Sequence, residues 1–298
     1  MRARQPDRQG YIDRQDVKVG FDVYDNHAPT VLLLPTWAII HSRHWKGQIA
    51  YLARHFRVVV IEGRGNGRSD RPTDPTLYND NEHIADFIAV LDETSTERAV
   101  VAGVSQGGHL AGVFAGLHPE RVDGAVLIAP ATSLTPPHPE RVAYKWGEKL
   151  DTREGWAKHN QHYWLSNYPD FVDFFFSQIF REPHSTKQHE DSVGWALETD
   201  GEVLGATVMS QSIRGDEERK VLASVRCPVL VIHCTEDRII PHAEGVAVAD
   251  VAGGDLLTIE GGGHCPQARD PVVVNLAMRR FVEMTQRQRS LESVEVRR

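Results

Sequence analysis

The sequence predicts an α/β fold: a mostly parallel central sheet, helices on both faces, and a helical segment inserted over one end of the sheet. Three observations carry this. Apolar runs at 31–34, 58–62, 99–104, 125–130 and 228–233 are continuous rather than alternating, the pattern of strands buried on both faces. Helical stretches separate most of these runs, and strands alternating with helices imply right-handed parallel crossovers. Between 131 and 226 the alternation stops, prolines cluster at Pro136, Pro137 and Pro139, and aromatic residues become dense.

Residues 1–10 are polar and expected to be loose. The segment 11–25 alternates weakly and reads as two short strands joined by a turn. The strand at 31–34 stops at Pro35, and 36–41 is a loop. Ser42 is a candidate cap for a helix reaching about His55. The strand at 58–62 runs into Gly63-Arg-Gly-Asn-Gly-Arg-Ser-Asp, a glycine-rich turn. It lacks the lysine of a phosphate loop and the G-x-G-x-x-G spacing, which argues against nucleotide binding. Residues 80–93 read as an amphipathic helix. The run at 99–104 leads through a tight turn into a small-residue helix at 109–117, which Pro119 ends. After the strand at 125–130 comes the aromatic insertion. The core resumes at Pro228, with a helix near 242–251, a strand at 256–260 and a last helix from about Pro271 to Met284, followed by a polar tail from Gln286. The core is thus expected to comprise 1–130 and 227–298. A helical cap at 131–226 is expected over the carboxyl ends of the strands, where open α/β sheets bind ligands.

Composition bounds the function. The 298 residues carry a formal net charge of -8, which argues against a general nucleic-acid binder. No 18-residue apolar run suggests a membrane span, and the basic start does not lead into a signal-like apolar region. The three cysteines, Cys227, Cys234 and Cys265, have no metal-binding spacing and read as free thiols of a cytoplasmic protein.

The chemistry centres on Gly103-Val104-Ser105-Gln106-Gly107, a G-x-S-x-G sequence between strand and helix. That context exposes a serine hydroxyl on a strained turn. Such a hydroxyl needs a base, best a histidine oriented by a carboxylate. His264, in Gly261-Gly-Gly-His264-Cys-Pro after the last strand, is the candidate base. Asp237, in His233-Cys-Thr-Glu-Asp237, is the candidate acid, with Glu236 as its rival. Other histidines (His41 and His44; His159 and His162) suggest no third ligand for a metal.

With these landmarks the chain resembles the α/β-hydrolase superfamily over essentially its whole length. The order Ser105, Asp237, His264 matches the family's order. Glu62-Gly-Arg-Gly-Asn-Gly-Arg-Ser resembles its glycine-rich loop, and His118-Pro-Glu-Arg-Val the end of its nucleophile helix. The resemblance implies an oxyanion hole from the backbone N–H groups of Gln106 and of Trp37, although Pro35-Thr36 stands where the family commonly has His-Gly. It implies a serine hydrolase of esters or lactones with a small-molecule substrate, no nucleic-acid or membrane partner, and no cofactor or metal. The aromatic cap suggests a bulky apolar substrate lined by residues such as Trp164, Phe174 and Phe175, and there is a looser similarity to esterases that open macrolide lactones. C–C bond hydrolysis, acyl transfer and a hydrolase-fold ligand receptor are the alternatives.

Overall fold

The computed structural model describes residues 4–27 and 29–295. Its strands are β1 (Arg8–Arg14), β2 (Val17–Tyr24), β3 (Thr30–Leu33), β4 (Arg57–Glu62), β5 (Ala99–Val104), β6 (Val122–Ile128), β7 (Val229–Cys234) and β8 (Asp255–Ile259). They form one sheet in the order β1-β2-β4-β3-β5-β6-β7-β8. The hairpin β1–β2 is antiparallel and pairs antiparallel with β4; the remaining neighbours are parallel. Chain direction across the sheet reverses at β3, which lies between β4 and β5. The loops leaving β3 and β5 therefore diverge at a topological switch point, the position at which sheets of this type hold ligands.

The strands from β2 to β7 are buried on both faces because their side chains alternate between two apolar layers, while the edge strands β1 and β8 are only partly covered. Val31, Leu33, Val100, Ala102 and Val104 face one layer, with Leu52 and Ala53 at the end of α1 (Lys46–Leu52) and, from the C-terminal helix, Val274, Met278 and Phe281. Leu32, Leu34, Val59 and Val101 face the other. That layer is covered by Phe87 of α2 (Asp80–Glu93) and Phe114 of α3 (Gln106–Leu117).

In the inserted segment, α4 (Gln161–Ile179) bends at Asn167, where the backbone leaves helical geometry two residues before Pro169. It is followed by α5 (Thr186–Ala196) and α6 (Gly201–Met209). Next comes α7 (Gly215–Ala223), whose Leu222 joins the layer of Phe87 and Phe114 and whose following residue, Ser224, hydrogen-bonds the Gly116 carbonyl at 3.3 Å. This helix packs on α3, so the last part of 131–226 belongs with the core rather than the cap. The chain closes with α8 (His242–Ala252), the short α9 (Pro266–Arg269) and α10 (Pro271–Glu295).

Four local expectations are corrected. Residues 8–10 are not loose but pair with Phe21–Val23 in the hairpin. Helix α3 begins at Gln106, three residues earlier than its apolar pattern indicates, because it starts directly from the serine turn. Ser42 does not cap a helix: His41 Nδ1 accepts from the Arg43 N–H at 3.3 Å, while Ser42 donates to Glu62 Oε1 at 3.2 Å. The polar tail from Gln286 continues α10 as far as Glu295.

A buried polar knot ties α3 to its neighbours. His109, fully buried, bonds Asp80 Oδ2 through Nε2 at 2.9 Å and Glu218 Oε1 through Nδ1, and Arg214 Nη1 lies 2.9 Å from the same Nδ1. Asp80 also accepts from the Ile213 N–H at 2.7 Å, and Glu218 from the Ser133 N–H at 2.9 Å. Burial alone raises both carboxyl pKa values, but hydrogen bonds and charge from His109 outweigh it and hold both below their ordinary range. Carboxylates depressed in this way stabilise the fold above their unfolded pKa values, and that stability is lost as pH falls through the folded ones. His109→Gln removes one partner of two buried charges and should cost about 3–5 kcal/mol in urea unfolding at neutral pH. Acidification below about pH 4 should narrow the gap between wild type and variant. A gap that stays constant with pH would show that the knot is not ionic.

Candidate active site

Ser105 occupies the turn between β5 and α3 with φ 57° and ψ -119°, a backbone conformation that L-residues rarely adopt. The turn is sewn to the end of β6: Ser105 N–H donates to the Ile128 carbonyl at 2.9 Å, and Ala131 N–H donates to the Ser105 carbonyl at 2.9 Å. Its glycines are required by proximity. A Cβ on Gly103 would lie 1.9 Å from the Gly107 carbonyl oxygen, and one on Gly107 would lie 2.3 Å from that of Pro35.

The β3 loop thus presses against the serine turn, and Thr36 has a part in this. Its hydroxyl donates to the Val104 carbonyl at 2.8 Å, fastening the loop to the residue before Ser105. Threonine in place of the family's glycine therefore anchors the loop. Among the described residues the N–H of Trp37 has no hydrogen-bond acceptor, and that of Gln106, the first residue of α3, has none within its helix. Asn66, in the glycine-rich turn after β4, holds the same loop from the other side. Its buried amide lies 3.1 Å from the carbonyls of Ala38 and Ile39 and 3.2 Å from that of Trp195 in α5.

Asp237 follows β7 and is buried, with its carboxylate accepting four hydrogen bonds. Oδ1 takes the N–H groups of Ile239 and Ile240 at 2.7 and 3.0 Å. Oδ2 takes His264 Nδ1 at 2.7 Å and His233 Nε2 at 3.1 Å. Burial pushes the carboxyl pKa up, yet the charge of His264 and the hydrogen bonds from His233 and His264 prevail and hold it well below the carboxylate range. Glu236 is largely exposed and points to Arg238, 4.0 Å away, so the carboxylate joined to His264 is Asp237. The Ser105 hydroxyl makes no hydrogen bond to His264 in this structure; what ties its turn to the acid and base is the shared end of the parallel strands β5, β7 and β8. His233, fully buried at the end of β7, went unnoticed in the sequence because its role depends on the chain folding back four residues later.

Above the switch point the aromatics pack in a continuous cluster. Trp37 lies 5.8 Å from Trp164 and 5.4 Å from Phe175 (ring centroids), and its Nε1 donates to Thr207 of α6 at 2.7 Å. Trp164 is enclosed by Trp146, His159 and Phe171. Phe174 faces away from Trp37, half-buried between Trp156 and the Lys158 ammonium. His44 and His159 are neutral imidazoles, pushed by burial down to about 3 and about 4, with His41 and Arg141 respectively adding to the effect. Among the described residues no group of three or more His, Cys, Asp or Glu side chains is arranged to hold a metal, and no helix is long and apolar enough to cross a membrane.

Comparison with known proteins agrees with this architecture. Residues 29–271 match the family described as alpha/beta hydrolase fold. The AB hydrolase superfamily protein YisY of Bacillus subtilis is 25% identical over 216 residues, covering 72% of this chain and 76% of that protein. The 3-oxoadipate enol-lactonase 1 of Acinetobacter baylyi is 23% identical over 221 residues, 74% of this chain and 75% of that protein. In three dimensions, the enol-lactonase from Burkholderia xenovorans LB400 superposes with a TM-score of 0.76 at 20% identity, covering 92% of this chain and all of that one (100%). The sheet order, the strained serine turn and the matched span agree: this chain belongs to the α/β-hydrolase family.

Proposed function

We propose that the protein is a serine hydrolase cleaving a carboxylic ester or lactone of a bulky apolar molecule through an acyl-enzyme. The observation that carries this reading is the 2.7 Å hydrogen bond between His264 and a buried, ionised Asp237, on the same sheet edge as the strained turn of Ser105. In this mechanism Ser105 Oγ attacks the carbonyl carbon while His264 Nε2 takes its proton. The N–H groups of Trp37 and Gln106 receive the charge that develops on the carbonyl oxygen; such donors are each worth about 3 kcal/mol in the transition state. His264 then protonates the departing alkoxide. Water, deprotonated by the same imidazole, hydrolyses the acyl-enzyme and restores Ser105. Asp237 holds the imidazole in the tautomer whose Nε2 is free to accept and stabilises its charged form.

The two relatives named as enol-lactonases support lactone or ester chemistry. The aromatic cluster around Trp37 favours a large apolar group, macrolide-type lactones included. A hydrophobic wall of this kind contributes by holding the carbonyl in attack geometry as well as by binding.

Three outcomes are expected. A fluorophosphonate should add one label per chain on the peptide containing Ser105, and labelling that survives Ser105→Ala would refute the nucleophile. Asp237→Asn should lower kcat by about 10⁴, as loss of the tautomer-fixing acid does in proteases, while Glu236→Gln should leave it nearly unchanged. The reverse order would reassign the acid. In a series of esters sharing one leaving group, kcat/KM should rise by about tenfold or more from acetyl to bulky acyl groups. Best activity on acetate, with no turnover of large esters or lactones, would refute the bulky-substrate reading.

A further inference from the structure

Arg141 lies in the 3-10 turn Pro139–Val142, near the start of the inserted segment. The turn is fastened over the loop of the catalytic acid. His138 Nε2 donates to the Asp237 carbonyl at 2.9 Å, and Arg141 Nη1 donates to the Ile239 carbonyl at 2.8 Å. The guanidinium carbon stands 4.9 Å from the centre of the Trp156 ring. Trp156 meets Phe175 edge-on at 6.3 Å, and Phe175 meets Trp37 at 5.4 Å. Arg141, Trp156 and Phe175 therefore form one continuous row of contacts from the Asp237 loop to the Trp37 loop.

The arginine is unusual in what it lacks. Among the described residues no carboxylate pairs with it, and its buried Nε has no hydrogen-bond partner. Several other arginines drawn from solvent have acids: Arg64 pairs with Asp86, Arg68 with Glu62 and Asp22, and Arg98 with Asp123, whereas Arg269, bonded to the Pro183 carbonyl, shares the unpartnered Nε. A cation taken out of water without a counter-ion is costly, and burial draws the Arg141 pKa below the ordinary arginine value despite the opposing fields of Asp237 and Glu140. The nearby His159 is neutral and does not compete for an anion. Trp156 covers the guanidinium and one terminal nitrogen is bonded to Ile239, which leaves Nη2 without a partner among the described residues.

We infer that Arg141 recognises a carboxylate carried by the substrate, so that the ester or lactone cleaved is a monoanion with an apolar body. The inference rests on the hydrolase reading and deepens it. A carboxylate suits one planar guanidinium fork. The apolar body would lie along Trp156 and Phe175, with the anion at the acid-loop end of the row.

The test compares p-nitrophenyl hemiesters of adipic and suberic acid with their methyl-capped counterparts, which differ only in charge. Wild type should prefer the anionic member in kcat/KM, and Arg141→Gln should lower the ratio of anionic to neutral kcat/KM by about tenfold to a hundredfold, the scale of one charged hydrogen bond. Arg141→Lys, which keeps the charge and loses the fork, should fall between. Equal losses on both substrates, or no preference in wild type, would overturn the proposal and make Arg141 a fastening of the cap turn. Binding separates this from failure of the hydrolase reading. Ser105→Ala should bind methyl hydrogen suberate more tightly than dimethyl suberate by calorimetry, and Ser105→Ala/Arg141→Gln should not. Loss of turnover and of fluorophosphonate labelling with that binding difference intact would refute the hydrolase and leave the anion site standing. Labelling and turnover without a binding difference would do the opposite.

Discussion

Two backbones meet at the centre of this molecule, and much of the site follows from their contact. The β3 loop and the β5–α3 turn approach so closely that Gly107 has no room for a Cβ beside the Pro35 carbonyl, nor Gly103 beside that of Gly107. A positive φ at Ser105 costs on the order of 1–3 kcal/mol and persists only where surrounding structure over-determines it. Here the determination comes from three directions: Ile128 and Ala131 grip the turn through its backbone, Thr36 bonds to the carbonyl before it, and α3 is fixed behind it by His109. The same contact leaves the N–H groups of Trp37 and Gln106 on neighbouring segments, that of Trp37 with no hydrogen-bond acceptor among the described residues and that of Gln106 with none within its helix.

The acid is held by a different principle. Asp237 is a charge in a dry place, and its four hydrogen bonds are what make an ionised carboxylate tolerable there. Two come from its own following backbone, so the orientation of the carboxylate is set locally. The other two come from imidazoles that share one oxygen. His233 consequently restrains Asp237 Oδ2 together with His264, and the carboxylate cannot rotate without breaking contacts at both oxygens.

The parts of this arrangement visible in the sequence are those written in contiguous residues. The G-x-S-x-G turn between an apolar run and a small-residue helix, and an acid and a histidine each following a later strand, need only spacing and order. Groups that act across the fold carry no such mark. His233 sits inside an apolar strand and resembles a core residue; Asn66 is one polar position in a glycine-rich turn; Arg141 and His109 acquire meaning only through what packs around them. Boundaries shifted for similar reasons. The amphipathic pattern of α2 matched its helix at 80–93, but α7 lay in the aromatic insertion and was assigned to the wrong layer, since sequence order does not reveal that Leu222 folds back under α3. Of the three aromatics named as candidate lining, Phe174 is set by the register of α4 against Trp156 and Lys158, a contact that sequence order does not reveal.

Asn66 and Trp37 give the cap a mechanical consequence. The Asn66 amide reaches both the loop beyond Trp37 and the carbonyl of Trp195 in α5, and the indole of Trp37 is bonded to Thr207 in α6. The inserted segment and the β3 loop are therefore linked at two points, one on α5 and one on α6, by side chains of the sheet loops. A displacement of α5 or α6 strains the same hydrogen bonds that set the position of the Trp37 N–H. The inserted helices thus help to set the β3 loop, and disturbances on their far side have a short covalent and hydrogen-bonded route to Trp37.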